Sequence, residues 1–396
     1  MKKILLLGAG YANMSLLTRL DSASLKKAQW TLVTKEPYHY KSITLHDVAS
    51  GKIDKCALFD LKKLEKRGIC VVRDEITNIE ANVANGKNAN YEYDYLSIGL
   101  GFNSDDFGIK GVKEYTKAIT SYKTAQDINS DIIAKLEQYK NGDISFVVCG
   151  GGFSGIEFAG SLAEELKTQC AKYNIDFNHI KITCIEAMPN ILPMFNAKLQ
   201  NLAVKKLESL GVCVMSGSKI LECKEGAIVI EQGGVRSEIG ADIIIWTAGV
   251  RGNSVIENSA IFTSARSRVL VDTFLHPLQL NSQNLANKAQ NLAQNIFIMG
   301  DCASFKDEKS GRFFPPTAQI AREQGKYLAK VFKILLSNPQ CKVPPFVFTP
   351  KGSICSIGES YALGNLGIFE IRGKSASMLK KIVESLWDLQ LKGIAI

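Results

Sequence analysis

Residues 143–166 read DISFVVCGGGFSGIEFAGSLAEEL, and their interpretation decides the fold. An apolar run, ISFVVC, meets three glycines, and a stretch with helical apolar spacing follows. Gly150-Gly151-Gly152-Phe153-Ser154-Gly155 fits the GxGxxG pattern between a strand and a helix. Gly150 permits the tight turn, Gly152 lets the backbone approach a pyrophosphate, and Gly155 lets helix and strand pack closely. The helix then offers free N–H groups and its positive dipole end to phosphate. IKITCIEA, residues 180–187, is the next strand, with Glu186 near its end. A carboxylate there accepts hydrogen bonds from both ribose hydroxyls and repels a 2′-phosphate, which favours NADH over NADPH. The competing interpretation is a glycine-rich turn in another kind of α/β domain.

The same pattern opens the chain. KILLLG (3–8) is a strand, Leu16, Leu17 and Leu20 share a helix face, and WTLVTK (30–35) is a second strand. The turn is Gly8-Ala9-Gly10-Tyr11-Ala12-Asn13. Asn13 stands where the third glycine belongs, so looser helix packing is expected there. Thr34-Lys35 ends the second strand where an acid is usual, and Glu36 comes just after. A third signal lies far downstream in NIFIMGDCASF (295–305). A strand ending in Gly300-Asp301 places a carboxylate where it can hold the ribityl chain of a flavin, which nicotinamide cofactors lack. The first unit is therefore expected to hold FAD and the second NADH. A flavin beside a nicotinamide takes a hydride and passes electrons onward.

Between the units, YEYDYLSIGLGFNSDDFGIKGV (91–112) reads as a strand leaving into a domain crossing, and ADIIIWTAGVRGN (241–253) has the same form. The expected fold is α/β, with two Rossmann-like dinucleotide-binding domains and a small C-terminal segment. The expected division is 1–112 plus 275–350 for FAD, 113–274 for NADH, and 351–396 at the C-terminus. The polar stretch 281–294, NSQNLANKAQNLAQ, reads as a surface insertion.

Bulk properties agree. A chain of 396 residues suits two or three domains, and 46% hydrophobic with 22% charged residues is ordinary for a soluble protein. Lys plus Arg exceed Asp plus Glu by 48 to 39, a surplus that fits a nucleic acid, an anionic membrane, dinucleotide ligands or merely scattered lysines. Ten cysteines include no CxxC pair, which argues against zinc-ribbon and thioredoxin-like chemistry, and no metal is expected. Cys149, Cys184 and Cys213 fall in apolar runs and are expected to be buried and inert. Unpaired thiols point to a reducing compartment, the cytosol. MKKILLLGAGYA resembles a signal peptide, but its apolar run is short and glycine-broken, and no run of eighteen apolar residues exists.

Glu157, two residues past Gly155, is the titratable group that stands out. It reads equally well as an acid complementing the helix dipole and as a partly buried acid that moves protons. His39 and His46 fall together in a flavin-side loop, with no Ser-His-Asp arrangement around them. Residues 375–393, SASMLKKIVESLWDLQLKG, are amphipathic. Met378, Ile382, Leu386 and Leu389, widened by Leu379, Val383 and Trp387, oppose Lys380, Lys381, Glu384 and Asp388. Such a helix lies in a headgroup region or packs on the core or a second subunit.

Taken together these motifs resemble the type II NADH:quinone oxidoreductases, single-subunit, non-pumping FAD enzymes of respiratory membranes. The resemblance runs nearly end to end. It includes YHY (38–40) with LHDVASG (45–51), YDYLSIGLG (93–101), GGGFSGIEFAG (150–160), WTAGVRG (246–252), GDCASF (300–305), PPTAQIAREQG (315–325) and GSICSIG (352–358). It implies that Gly8, Ala9, Gly10, Tyr11 and Ala12 lie under the flavin pyrophosphate. Thr34 and Lys35 would sit near the adenosine ribose, Ile76 by the adenine, and Asp301 on the ribityl chain. Ala318 and Gln319 would flank the isoalloxazine, with Lys380 nearby, and Gly249 would join Gly150, Gly152, Gly155 and Glu186 at NADH. Glu157 would couple proton transfer to quinone reduction. The family commonly has AQxAxQQ by the quinone pocket. Here Glu323 replaces the first Gln of the closing pair, which puts quinone affinity in doubt around Gln319 and Glu323.

The resemblance further implies NADH and a membrane quinone as partners, no nucleic acid, and a peripheral place on the cytoplasmic face of the cell membrane. The C-terminal helix would meet anionic lipid there, and a homodimer is compatible with it. The alternatives are a sulfide:quinone oxidoreductase, for which only Cys355 is suitably placed, a reductase with a soluble acceptor, and a binding module gated by its cofactors.

Overall fold

Strands Lys2–Leu7 and Ala28–Thr34 pair in parallel because a helix, Tyr11–Leu17, connects them. In the computed structural model, which describes residues 1–53, 58–281, 292–338 and 340–393, they are the centre of a five-stranded parallel sheet. Its order is Ile296–Ile298, Tyr95–Ile98, Lys2–Leu7, Ala28–Thr34, Cys70–Arg73. A second parallel sheet repeats this order with Lys117–Ala118, Ile243–Trp246, Ile144–Cys149, Ile180–Glu186 and Val212–Ser216. The second sheet's strands come from one continuous stretch. The first draws its edge strand from beyond residue 295, as its Gly-Asp terminus led one to expect. The central strands bury apolar runs, Ile4 to Leu7 and Phe146 to Cys149, because helices cover both faces of a parallel sheet.

Three-stranded antiparallel sheets flank this framework. One, Ser353–Ser356, Ala362–Leu366 and Phe369–Gly373, leads directly into the C-terminal helix Lys374–Lys392.

Asn13 is held by hydrogen bonds where the third glycine belongs. Its fully buried amide donates to the carbonyls of Leu7 (2.9 Å) and Gly8 (2.8 Å) and accepts from the Ser97 hydroxyl (2.6 Å). It therefore ties the turn to the neighbouring strand, satisfying backbone that a glycine would leave alone. The other face of Tyr11–Leu17 packs on helix Ala318–Leu335. Gly325 makes that approach possible, since a Cβ there would lie 2.0 Å from the Ala12 carbonyl oxygen.

Three expectations change. Cys213 is exposed, not buried, because Val212–Ser216 is the edge strand and its alternate residues face solvent. His39 and His46 do not share a loop: they lie on strand Tyr38–Tyr40 and helix Leu45–Ser50. The C-terminal helix also divides differently. Trp387, expected with the outward apolar residues, is 1% exposed, and Lys380 and Glu384 turn inward with it. The helix carries apolar residues on two sides, and the inward one is the side whose polar atoms find partners. Met378, Ile382, Leu386 and Leu389 remain exposed. Most of the polar stretch 281–294 falls on 282–291, outside the described residues.

Candidate functional site

The first glycine turn is built by backbone geometry. Gly8 has φ +87°, and a Cβ there would lie 2.5 Å from the Gly99 carbonyl oxygen. The helix that follows has no side-chain cap and no acid in its first turn, so its N–H groups face outward. Helix Phe153–Tyr173 in the second unit starts the same way, uncapped at Gly152. Gly155 sits so close to its strand that a Cβ would lie 1.9 Å from the Gly150 carbonyl oxygen. No atom lies within 4 Å of where a Gly152 Cβ would point, so that position is open to an approaching ligand.

The first turn opens on a cavity of about 1260 Å³, which Phe153 and Ser154 of the second turn also line. That exceeds the ~300–1,000 Å³ of a drug-sized site and suits an extended dinucleotide with room for a second molecule. Gly8 to Ala12, Thr34, Lys35, Ile76, Gly300, Asp301, Ala318, Gln319 and Lys380 all line it. Phe153, Ser154 and Glu157 enter from the second unit. Burial raises the Asp301 carboxyl above its ordinary range, and the Arg268 guanidinium only partly opposes this. The Tyr11 hydroxyl is buried without a hydrogen-bond partner. An uncapped phosphate cradle, a half-buried carboxylate on the cavity wall and an unpartnered phenol fit a flavin adenine dinucleotide.

Gly150, Gly152, Gly155, Glu186 and Gly249, expected at NADH, do not line this cavity. Glu186 accepts from the Gly151 N–H (2.6 Å) and the Met188 N–H (2.8 Å), which fixes its carboxylate against the glycine turn. The Gly249 carbonyl accepts from the Asp105 N–H (3.0 Å), and a Cβ at Gly249 would strike the Phe107 ring at 2.4 Å. Lys35 pairs with Glu75 at 2.9 Å. Gln319 accepts from the Lys351 N–H (2.9 Å). Glu323 does not line the cavity; its carboxylate lies 3.5 Å from both Lys326 and Lys351.

Glu157 occupies the junction of the two units. One carboxylate oxygen takes the Lys380 ammonium and the Ser356 N–H (3.1 Å) and hydroxyl (3.2 Å). The other lies 3.7 Å from His46 Nδ1. Burial pushes the Glu157 carboxyl up, but Lys380, His46 and the Ser356 donors outweigh it and hold the carboxyl below its ordinary value. Burial likewise opposes the Lys380 charge, yet Glu157 and Glu384 raise its pKa overall. Glu384, 4.0 Å from Lys380, is raised by its own burial. A carboxylate and an ammonium thus face the cavity as a pair.

Three participants escaped the sequence argument. His46 was set aside for want of a serine, although its partners are carboxylates. His39 bridges the first glycine turn and the C-terminal helix: its Nδ1 lies 2.7 Å from the Ala9 carbonyl, and its Nε2 accepts from Trp387 Nε1 (3.0 Å). Gln324, 1% exposed, accepts from the Gly300 N–H (2.7 Å) and fixes the turn that presents Asp301. Its signal was available, since it interrupts the apolar stripe Ile320, Leu328, Val331 on its helix.

Two Rossmann units sharing one cavity, with an ion pair at their junction, define a two-dinucleotide oxidoreductase. The sequence profile of the pyridine nucleotide-disulphide oxidoreductases matches residues 2–325. A type II NADH:quinone oxidoreductase of Staphylococcus aureus is 34% identical over all of this chain and 97% of its own length. That of Staphylococcus epidermidis is 35% identical with the same coverage. Among solved structures, NDH2 from Plasmodium falciparum in complex with NADH has a TM-score of 0.87 at 20% identity, covering 100% of this chain and 97% of that one. The sulfide:quinone oxidoreductase of Aquifex aeolicus has 0.78 at 17%, covering 100% and 92%. At those identities the structures show a shared fold. The chain belongs to the pyridine nucleotide-disulphide oxidoreductases and, within them, to the type II NADH:quinone oxidoreductases.

Proposed function

We propose that the protein oxidises NADH and reduces a membrane quinone through bound FAD, without moving protons across the membrane. The observation that carries this is the single cavity lined by the first glycine turn and by Phe153, Ser154 and Glu157 at the start of the second unit's helix, with Glu157 paired to Lys380. The curated relatives bear the name of this reaction. When bound, the flavin supplies the redox chemistry, taking a hydride from NADH and giving two electrons to the quinone. The protein's own groups bind and orient. Gly8 to Ala12 cradle the flavin pyrophosphate, Thr34, Lys35 and Ile76 hold the adenosine end, and Asp301 takes ribityl hydroxyls. Ala318, Gln319 and Lys380 border the ring. Gly150, Gly152, Gly155 and Gly249 shape the NADH cleft, and Glu186 selects against a 2′-phosphate. Gln319 borders the quinone, with Glu323 and its two lysines behind it. Glu157 carries the proton that the reduced quinone oxygen needs.

We assign residues 1–112 and 275–350 to the FAD domain, 113–274 to the NADH domain and 351–396 to the membrane side. Among the described residues no helix is long and apolar enough to cross a membrane. The outer face of Lys374–Lys392 presents four exposed apolar side chains, which suits a peripheral site on the anionic cytoplasmic leaflet. The same face also suits a homodimer. A sulfide:quinone activity is disfavoured because Cys355, the one candidate thiol, is fully buried and does not line the cavity.

Stopped-flow absorbance tests this reading. NADH should bleach the flavin much faster than NADPH, and a soluble menaquinone analogue should restore the colour. A flavin that neither nucleotide bleaches would sink it.

A further inference from the structure

The quinone side of the reaction draws protons into a buried place. Two electrons come from NADH, and the sum is NADH + H⁺ + quinone → NAD⁺ + quinol. One proton per turnover must therefore come from solvent. Glu157 is 8% exposed, and an ammonium already holds its carboxylate in the charged form. It gives up a proton only after receiving one, and the contacts around it show where from.

His46 lines the cavity and faces two carboxylates. Its Nδ1 lies 3.7 Å from Glu157 Oε2, and its Nε2 lies 3.5 Å from Asp47 Oδ2. Asp47 lies behind the cavity with its side chain 19% exposed, and Lys52 approaches it at 4.0 Å. Asp47 is also held in place. The Ser161 hydroxyl, on helix Phe153–Tyr173, donates to its Oδ1 (2.8 Å) and is in turn 2.9 Å from the Ser50 hydroxyl. That leaves Oδ2 turned to the imidazole. Other charges facing His46 are the ammoniums of Lys380 and Lys52. Burial favours the neutral imidazole, which can accept at one nitrogen and donate from the other. Two carboxylates, Asp47 with its side chain 19% exposed and Glu157 with 10%, thus flank one imidazole.

We propose that His46 is a relay residue acting through Glu157, carrying the quinone's solvent proton from Asp47 at the surface to the buried carboxylate. The proton bound at Asp47, or on water beside it, goes to Nε2. The Nδ1 proton leaves for Glu157 Oε2, and Glu157 releases its proton to the reduced quinone oxygen. A ring flip restores the starting tautomer. No bond other than N–H and O–H is made or broken, and the electron pair comes from NADH by the proposed activity on which this inference rests.

The test uses the flavin-loaded enzyme and His46→Ala, with His46→Gln as the variant that keeps the side chain's volume but cannot relay. Bleaching by NADH and reoxidation by a soluble menaquinone analogue are timed separately. Proton uptake is followed in weak buffer with an indicator dye. We expect both variants to lose about a hundredfold in the reoxidation phase, the scale of a general acid–base contribution, while the bleaching phase keeps its rate. Proton uptake should slow in step. Added imidazole should restore His46→Ala and leave His46→Gln slow, and Asp47→Asn should shift the pH dependence of reoxidation. Unchanged reoxidation in His46→Ala would overturn the proposal and leave Lys380 as the donor. So would loss that His46→Gln repairs and imidazole does not, since that marks a packing role. If the unmodified enzyme is bleached but no quinone reoxidises it, the quinone reading itself has failed, a different result from either.

Discussion

Replacing Lys380 with methionine isolates the energetics of the buried ion pair. The side chains of Lys380 and Glu157 are 14% and 10% exposed, so neither charge has much water to fall back on. Removing one partner of such a pair costs about 3–5 kcal/mol because the other charge is left buried alone. The cost should depend on pH with a definite sign. In the natural protein the Glu157 carboxyl is held below its ordinary value, so its contribution to stability is present above the unfolded pKa and fades as pH falls through the lower folded one. In Lys380→Met the largest opposing influence is gone and burial dominates. The folded carboxyl then titrates above the unfolded one, and the folded state binds the extra proton. Stability should therefore fall as pH rises through that window, and the variant's deficit should be larger at about pH 8 than at about pH 5. Thermal midpoints of the flavin-loaded proteins across this range measure it at fixed scan rate. The double variant Lys380→Met with Glu157→Gln should recover much of the loss, because no buried charge remains. A deficit that is the same at both pH values, or that survives the second substitution undiminished, would refute the reasoning and assign Lys380 a packing role.

Trp387 fills the inner face of the C-terminal helix, with its ring 5.2 Å from Tyr11, Arg322 stacked over it at 4.7 Å and its N–H on His39. Trp387→Ala should lose about 3–5 kcal/mol of stability, whereas Trp387→Phe keeps most of the contact area and loses the His39 bond, about 1 kcal/mol. Flavin retention on dilution should weaken in the same order, because His39 holds the Ala9 carbonyl, and equal retention in both variants would break that link. On the outer face, changing Leu386 and Leu389 to serine should weaken binding to anionic vesicles by roughly 1.5–3 kcal/mol per side chain while flavin content stays constant. Sedimentation with liposomes measures it, and unchanged partition would point to a protein partner for this surface.

What could be read from the sequence was what the backbone alone enforces. A strand, a turn that only glycine tolerates and a helix packed hard against that strand occur twice, and each needs only local residues, so both parallel sheets were foreseeable. At Asn13 the family pattern records glycine's smallness. It does not record that an amide of the right reach can bond to the carbonyls of Leu7 and Gly8 and thereby replace close packing with hydrogen bonds. The C-terminal helix was misjudged for a related reason. Helical spacing shows that two apolar sides exist, but which one faces inward depends on partners hundreds of residues away: His39 for Trp387, Glu157 for Lys380, and Thr18 for Gln390 at 2.6 Å. Each of these contacts joins the helix to a residue that lines the cofactor cavity or lies on the elements that frame it. The helix that carries the exposed apolar stripe is therefore part of the wall of the redox site. Met378, Ile382, Leu386 and Leu389 are side chains for which that wall has no use, which is why a helix with Lys380 and Trp387 turned inward still presents methionine, isoleucine and leucines outward.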